Sequence, residues 1–289
     1  MTNVEPEVLV LMAVYNGEDW LPAQIDSILA QEAVSIRLVI SIDRSSDSSR
    51  TICERYASQD HRVNVLSADT SHGSATKNFL FLAKEADVGC ASYVAFSDQD
   101  DIWDLDKLRR SIDEMQRREV AAVSSDVVAF WPGGTRRLII KSQPQKKFDF
   151  VLEAAGPGST YLISRQLWMG FSEWLADRRD IEMPPHDWLI YAYARIYGHP
   201  WHIMPQSTVL YRQHRDNFLG ANLGFKGRLA RIKSIKSGAF RADVERLARA
   251  FGDDFPLSVS KGALVSKLFT LRRKRSEAII FGLLCALFW

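Results

Sequence analysis

Apolar positions in the first 120 residues fall into two alternating rhythms. Short continuous runs at Val8–Val14, Arg37–Ser41, Val63–Leu66 and Tyr93–Ser97 read as buried strands. Between them Trp20–Gln31, Ser48–Ser58 and Thr76–Ala86 repeat apolar residues every three or four positions, as in Leu21, Ile25, Ile28 and Leu29, and read as helices. Strands alternating with amphipathic helices predict an α/β fold, a mostly parallel, Rossmann-like central sheet flanked by helices. Further on, the pattern predicts a helix from Leu105 to Arg118, a strand over Val120–Phe130 and a turn at Trp131-Pro132-Gly133-Gly134. A strand over Ser159–Ser164, a helix from Trp188 to Tyr197 and an extended Thr208–His214 follow. Ligands of such sheets bind outside the carboxyl ends of the strands. The segments to search are therefore Tyr15-Asn16-Gly17, Asp43-Arg44-Ser45-Ser46-Asp47 and Asp98-Gln99-Asp100-Asp101.

Composition changes this picture in one respect. The 289 residues are 46% hydrophobic and 25% charged, ordinary for a soluble globular chain, which excludes disordered, collagenous and disulfide-scaffold classes. The formal net charge of +2 conceals an asymmetry: residues 226–289 hold 14 Lys/Arg against 5 Asp/Glu, leaving 23 against 30 in residues 1–225. An acidic body carries a basic tail. Cys53, Cys90 and Cys285 lack ligand or disulfide spacing, and the acidic N-terminus lacks the basic start of a signal peptide, so a reducing cytoplasmic setting is expected. No nucleic-acid reader motif accompanies the basic tail, so no nucleic-acid partner is expected.

Three carboxylates within four residues, Asp98, Asp100 and Asp101, close a strand expected near the middle of the sheet. Crowded carboxylates repel unless a cation offsets them, and oxygen donors at this density suit Mg²⁺ or Mn²⁺. The alternative is a solvated turn with Asp101 or Asp104 capping the next helix. Asp187, at the start of the helix predicted from Trp188, has a similar choice between helix cap and functional carboxylate. The absence of a GxGxxG after the first strand disfavours a dehydrogenase, and Tyr15-Asn16 stands where an aspartyl-phosphate enzyme has its nucleophile.

Taken in order, the motifs resemble the inverting family-2 glycosyltransferases of GT-A fold, in their rhamnosyltransferase-like branch. The matching residues are Ala13-Val14-Tyr15-Asn16-Gly17, Leu21 with Gln24 and Ser27-Ile28, Ile42–Asp47, Gly73 with Lys77-Asn78-Phe79, and Phe96–Trp103 with Lys107-Leu108. His186-Asp187-Trp188, Tyr211–His214, Asn217 and Gly220-Ala221 complete a match over roughly residues 8–222. One departure is visible: Ile42 and Arg44 stand where the family shows an aspartate and a glycine around Asp43.

The resemblance implies a metal-dependent transfer of a sugar, L-rhamnose from a dTDP donor, to a polysaccharide or lipid-linked oligosaccharide in cell-surface glycan synthesis. It implies that residues 1–224 form the catalytic domain, with the nucleotide-sugar part at 1–118 and the acceptor part at 119–224. Donor contacts are carried over to Ala13, Tyr15, Asn16, Asp43, Lys77, Asn78, Asp98 and Arg212, and metal ligation by Mg²⁺ or Mn²⁺ to Asp100, Asp98 and His214. Asp187 matches the general base, which takes the acceptor hydroxyl proton as that oxygen attacks opposite the leaving group. Gly158, Ser159, Thr160, Trp103, His186 and Trp188 match the acceptor side. The rival reading is a non-catalytic nucleotide-sugar-binding or membrane scaffold protein of the same fold. For residues 225–289, Leu229, Ile232 and Ile235 lie near one face of a basic helix over 226–236, and Arg272-Arg273-Lys274-Arg275 precede an apolar run of 12 residues, shorter than the roughly 20 needed to span a bilayer. This basic helical C-terminal region suits attachment to an anionic membrane surface, on the inner face of the plasma membrane, or docking of a partner protein; the alternative for 226–236 is a helix packed on the body with a solvated basic side.

Overall fold

In a computed structural model the chain is described over residues 5–66, 71–178, 181–214 and 232–289. The apolar runs form strands β1 (Glu7–Val14), β2 (Ser35–Ile42), β3 (Val63–Leu66) and β4 (Tyr93–Ser97). Helices α1 (Leu21–Leu29), α2 (Ser49–Gln59) and α3 (Ala75–Glu85) connect them. β1 pairs in parallel with β2 and β4, and β2 with β3. β1 is buried from Val8 to Val14, which explains why its sequence is a continuous apolar run: helices cover both faces. Val8, Val10, Met12 and Val14 pack with Leu21, Ile25, Ile28, Leu108 and Ile112, whereas Leu9 and Leu11 pack on the opposite side with Phe79, Leu167 and Leu189.

β6 (Ala122–Ser125), β9 (Leu162–Ser164) and β10 (Trp201–Met204) extend the sheet to seven strands in the order β10-β6-β9-β4-β1-β2-β3, with β9 antiparallel to both neighbours. The strand predicted over Val120–Phe130 is divided at Asp126. The backbone N–H of Asp126 donates to the Met204 carbonyl at 3.0 Å, and its buried carboxylate accepts from the Lys141 and Ser142 backbones and the Ser142 hydroxyl. Satisfying that carboxylate redirects the chain. β7 (Val127–Phe130) then joins β5 (Ile102–Trp103), β8 (Arg136–Ile139) and β11 (Val209–Arg212) in a second sheet ordered β5-β11-β7-β8. The helix predicted from Leu105 begins as α4 (Lys107–Arg118), because Ile102 and Trp103 first pair with β11. α5 (Arg165–Ala176) and α6 (His186–Ile196) cover the face opposite α4.

The C-terminal helices Ala239–Phe251, Lys261–Ser266, Leu268–Leu271 and Arg275–Phe288 pack onto the same core as α5 and α6, through Val244, Leu247, Leu264, Leu271, Phe281 and Cys285. Gly282 permits the closest of these contacts, since a Cβ there would stand 2.6 Å from Leu268 Cδ2. The basic run is not wholly solvated. Arg273 is 6% exposed; its guanidinium lies 3.1 Å from Glu153 and 3.8 Å from Asp149, and it donates to the Ala154 carbonyl at 2.6 Å. Arg272 donates to the Leu152 carbonyl. Asp149, fully buried, also pairs with Arg195 at 2.8 Å and accepts from the Tyr191 hydroxyl. Residues 226–231 of the predicted basic helix lie outside the described residues, and Ile235 is buried against the body.

Candidate active site

The carboxyl ends of β1 and β2 are laced together. Asn16, in the left-handed region at φ 46°, donates its N–H to Ser45 Oγ, and its side-chain oxygen accepts from the Ser46 N–H at 2.8 Å. The Gly17 and Glu18 N–H groups donate to Ser49 and Asp47, while Glu18 accepts from the Ser48 N–H. The Tyr15 backbone is held at both polar atoms by the Gln99 amide, at 2.7 and 2.8 Å, which ties the first strand end to the acidic turn. Tyr15 itself is 57% exposed, and Ala13 lies behind it in the core. Asp43 is buried and accepts from the Arg44, His72 and Gly73 N–H groups, so its carboxylate shapes the segment entering α3. At the start of α3, Lys77 is exposed, whereas the Asn78 amide is buried and donates to the Val14 and Ser41 carbonyls.

The acidic turn follows β4 at the centre of the large sheet. Asp100 Oδ2 lies 2.7 Å from His214 Nε2, and the His214 ring stacks on Trp20 with centroids 3.8 Å apart. Arg212 donates through Nε to the Asp100 carbonyl at 2.7 Å and through its backbone N–H to Asp101 at 3.1 Å. β11 thus holds the turn in shape. Burial pushes the Asp98 carboxyl up to about 7, with Asp100 and Asp187 adding repulsion; burial likewise holds Asp101 well above the carboxylate range. The Tyr211 hydroxyl, raised first by burial, faces Asp101, Asp98, Asp100 and Asp187 together. Asp98, Asp100 and Asp187 therefore lie near enough to act on one another, with Asp101 fully buried beside them.

Asp187 arrives from the opposite side on α6. Pro185 occupies the N-cap position, so Asp187 stands within the first turn, where the helix end favours a carboxylate. Its Oδ1 accepts from the Trp188 N–H at 2.7 Å. Burial raises its carboxyl to about 6, and Lys141 opposes part of that rise. His186 stacks on Phe79 with centroids 3.8 Å apart, and burial pushes its pKa down to about 3, leaving the imidazole neutral. The 3-10 turn Gly158–Thr160 lies against this helix start: a Cβ on Gly158 would stand 2.7 Å from His186 Nε2 and 3.3 Å from Asp187 Cβ. Gly158→Ala is accordingly expected to displace Asp187 and lower kcat by about 10- to 100-fold with little change in donor KM, as steady-state kinetics will measure.

The predicted residues thus separate into groups. Asp98, Asp100, His214, Asp187, His186 and Gly158 meet around the cleft, and Tyr15, Asn16 and Asp43 form its wall at the strand ends. Arg212 and Asn78 engage the backbone around it. Trp103 and Trp188, matched to the acceptor side, are instead core residues, 2% and 6% exposed. Trp103 lies beneath the Lys107 ammonium at 3.5 Å, and Trp188 donates to the Phe150 carbonyl and stacks on Phe240. Ser159 and Thr160 are buried, the latter donating to the Pro157 carbonyl. Trp20, Gln99, Lys141 and Tyr211 escaped the sequence reading as site residues; only Gln99 and Tyr211 had a signal, as motif neighbours of the aspartates and His214.

A mostly parallel sheet whose central strand delivers a carboxylate-rich turn to a cleft shared with a helix-borne carboxylate is the architecture of GT-A glycosyltransferases. The chain belongs to glycosyl transferase family 2, whose model matches residues 9–178, and it is a glycosyltransferase. It is 36% identical over 286 residues to the dTDP-rhamnosyl transferase RfbG of Shigella flexneri, covering 96% of this chain and 99% of that protein. TuaG of Bacillus subtilis, named a putative teichuronic acid biosynthesis glycosyltransferase, is 32% identical over 121 residues, covering 42% of this chain and 46% of that one. Among solved structures, S. aureus TarS 1-349 in complex with UDP-GlcNAc superposes with a TM-score of 0.56 at 15% identity, covering 92% of this chain and 82% of that one. The mannosyltransferase PcManGT from Pyrobaculum calidifontis, in complex with GDP-Man and Mn²⁺, gives 0.50 at 15% identity over 99% and 83% of the two chains. At these identities the structural likenesses speak for the fold alone.

Proposed function

We propose that this glycosyltransferase moves L-rhamnose from dTDP-rhamnose, with inversion, to a polysaccharide or lipid-linked oligosaccharide made at the cytoplasmic face of the membrane. The observation that carries the chemistry is the convergence of Asp98 and Asp100 on the sheet with Asp187 on α6, each side braced separately. The near-complete overlap with a dTDP-rhamnosyl transferase supports this choice of donor. In this reading Asp187 takes the proton of the attacking acceptor hydroxyl, Lys141 and the Trp188 N–H hold the carboxylate in place, and neutral His186 packs beside it without competing for that proton.

Among the described residues no group of three or more His, Cys, Asp or Glu side chains forms a preassembled metal cluster. Mg²⁺-type ions in nucleotide sites use one or two carboxylates and complete their shell with substrate phosphates and water. The Asp100–His214 pair with Asp98 beside it fits such a shared site. When bound there, the cation supplies positive charge for the departing nucleoside diphosphate. Asp100 and Asp98 would hold it with His214 beside them, while Arg212 and Asp101 fix the turn that presents them and Trp20 stacks on the His214 ring.

A panel of nucleotide sugars tests the donor directly, because a ligand at 100 times its Kd stabilises the native state by about 2.7 kcal/mol. With Mn²⁺ or Mg²⁺ present, dTDP-rhamnose is expected to raise the melting midpoint most and to release dTDP when acceptor is added. Asp100→Ala should remove the metal-dependent part of that rise and lower transfer by about 100-fold or more. Preference for another nucleotide sugar would overturn the donor assignment; transfer unaffected by chelation would overturn the metal.

A further inference from the structure

The C-terminal helix Arg275–Phe288 is apolar on both sides. Ala278, Phe281 and Cys285 face the core, while Ile279, Leu283 and Leu287, at successive four-residue steps, are 53%, 64% and 71% exposed, with Ile280 beside them at 48%. Phe269, on the preceding short helix, adds a ring that is 58% exposed. An apolar surface of this extent on a folded protein marks a contact site.

Charge identifies the occupant. Among residues 232–289 the exposed charged side chains are Lys233, Lys236, Arg241, Arg249, Lys261, Lys267, Lys274 and Arg275 against Asp253 and Asp254. Several of these cations border the apolar helix. Arg275 and Lys274, the latter 3.6 Å from Glu277 in the first turn, stand at its start; at its end the Lys236 ammonium lies 5.0 Å from the Phe288 ring centre, and Lys261 donates to the Ala286 carbonyl at 2.9 Å. With 14 residues the helix is about 21 Å long, short of the roughly 30 Å hydrocarbon layer, and no helix among the described residues is long and apolar enough to cross a membrane. Arg272 and Arg273, which the sequence alone offers as part of the basic patch, are turned into the protein and contribute nothing at the surface.

We propose that Ile279, Ile280, Leu283, Leu287 and Phe269 form an in-plane docking face for an anionic lipid surface, with Lys236, Lys261, Lys274 and Arg275 meeting the headgroups. The helix lies along the interface on its own exposed side while its opposite side remains packed on the catalytic body. This inference is independent of the donor and of the metal.

Co-sedimentation of the full chain with lipid vesicles tests it. The protein is expected to partition onto phosphatidylcholine vesicles containing phosphatidylglycerol and to bind phosphatidylcholine alone, or either vesicle in high salt, at least about 10-fold more weakly. Leu283→Glu combined with Leu287→Glu should reduce partition onto the anionic vesicles by about 10-fold or more, with an unchanged melting midpoint because both side chains are solvent-exposed in the folded chain. Equal partition of variant and parent, or no preference for anionic lipid, overturns the proposal. So does a parent that is dimeric in lipid-free buffer and a variant that is monomeric, since the face then belongs to a second copy. Donor turnover measured on the same samples reports separately on the catalytic reading.

Discussion

Asp187→Asn is expected to stop sugar transfer and at the same time to stabilise the protein. The carboxyl is raised on folding from 3.8 to about 6, chiefly by burial. A raised acid binds its proton more tightly in the native state, so its cost is absent below about pH 4, grows through the interval up to about 6, and is complete at neutral pH. Two pKa units correspond to about 3 kcal/mol, which an amide of the same shape does not incur. The variant should therefore melt several degrees higher at pH 7 and show no such gain at pH 4. Transfer should fall by at least about 100-fold, the usual scale for a general base. In the parent enzyme kcat/KM should decline below about pH 6 as the base becomes protonated. Near-normal turnover of the variant would remove Asp187 from the mechanism, and a lowered midpoint would attribute its loss of activity to misfolding.

Arg273→Ala is expected to have the largest effect on stability. It strips a buried cation from Glu153 and from the fully buried Asp149, which are left with Arg272 at 3.7 Å and Arg195 at 2.8 Å as their partial compensation, so the upper end of the usual cost is not expected. Breaking one side of a buried ion pair costs about 3–5 kcal/mol because the remaining charge is left uncompensated. For a chain of this size that corresponds to a fall of roughly 10 °C in the melting midpoint. Arg273→Lys should recover only part of it, because one ammonium cannot reproduce the fork that reaches Glu153 and the Ala154 carbonyl together. Thermal denaturation of both variants beside Arg275→Ala, whose side chain is exposed, supplies the control.

The parallel half of the fold is legible because its code is local. β1 is apolar without interruption as both its faces are covered, and the residues after β1, β2 and β4 are polar since the strand ends open onto the cleft. The second sheet is not legible. β5 has two residues, and β8 has three exposed positions in four, so neither carries an alternation that periodicity can detect. Asp126 ends one strand through contacts with residues 15 and more positions away. The same distinction holds at the site. Asp98, Asp100 and Asp187 stand out as motifs, but that Trp188 faces the core depends on Phe150 and Phe240, and that Trp20 supports His214 depends on a contact across nearly 200 residues. The tail shows the limit most plainly: four consecutive basic residues look equivalent in sequence, yet two of them serve the interior.

Those two also set the order in which the enzyme can be completed during synthesis. The Asp149–Glu153 segment carries the Phe150 carbonyl that receives the Trp188 indole, next to Asp187, and its carboxylates wait for Arg272 and Arg273, about 120 residues further along the chain. β1 to β4 can pair with one another while the ribosome is still working, since those pairings lie within the first 100 residues, whereas β4 also takes β9 as a neighbour and β5 waits for β11. The segment that receives the Trp188 indole gains its last cations only when the C-terminal residues have emerged. A nascent chain is therefore able to pair its first four strands before the segment beside Trp188 receives its last cations, and the helix that follows those cations completes the core on that side through Ala278, Phe281 and Cys285.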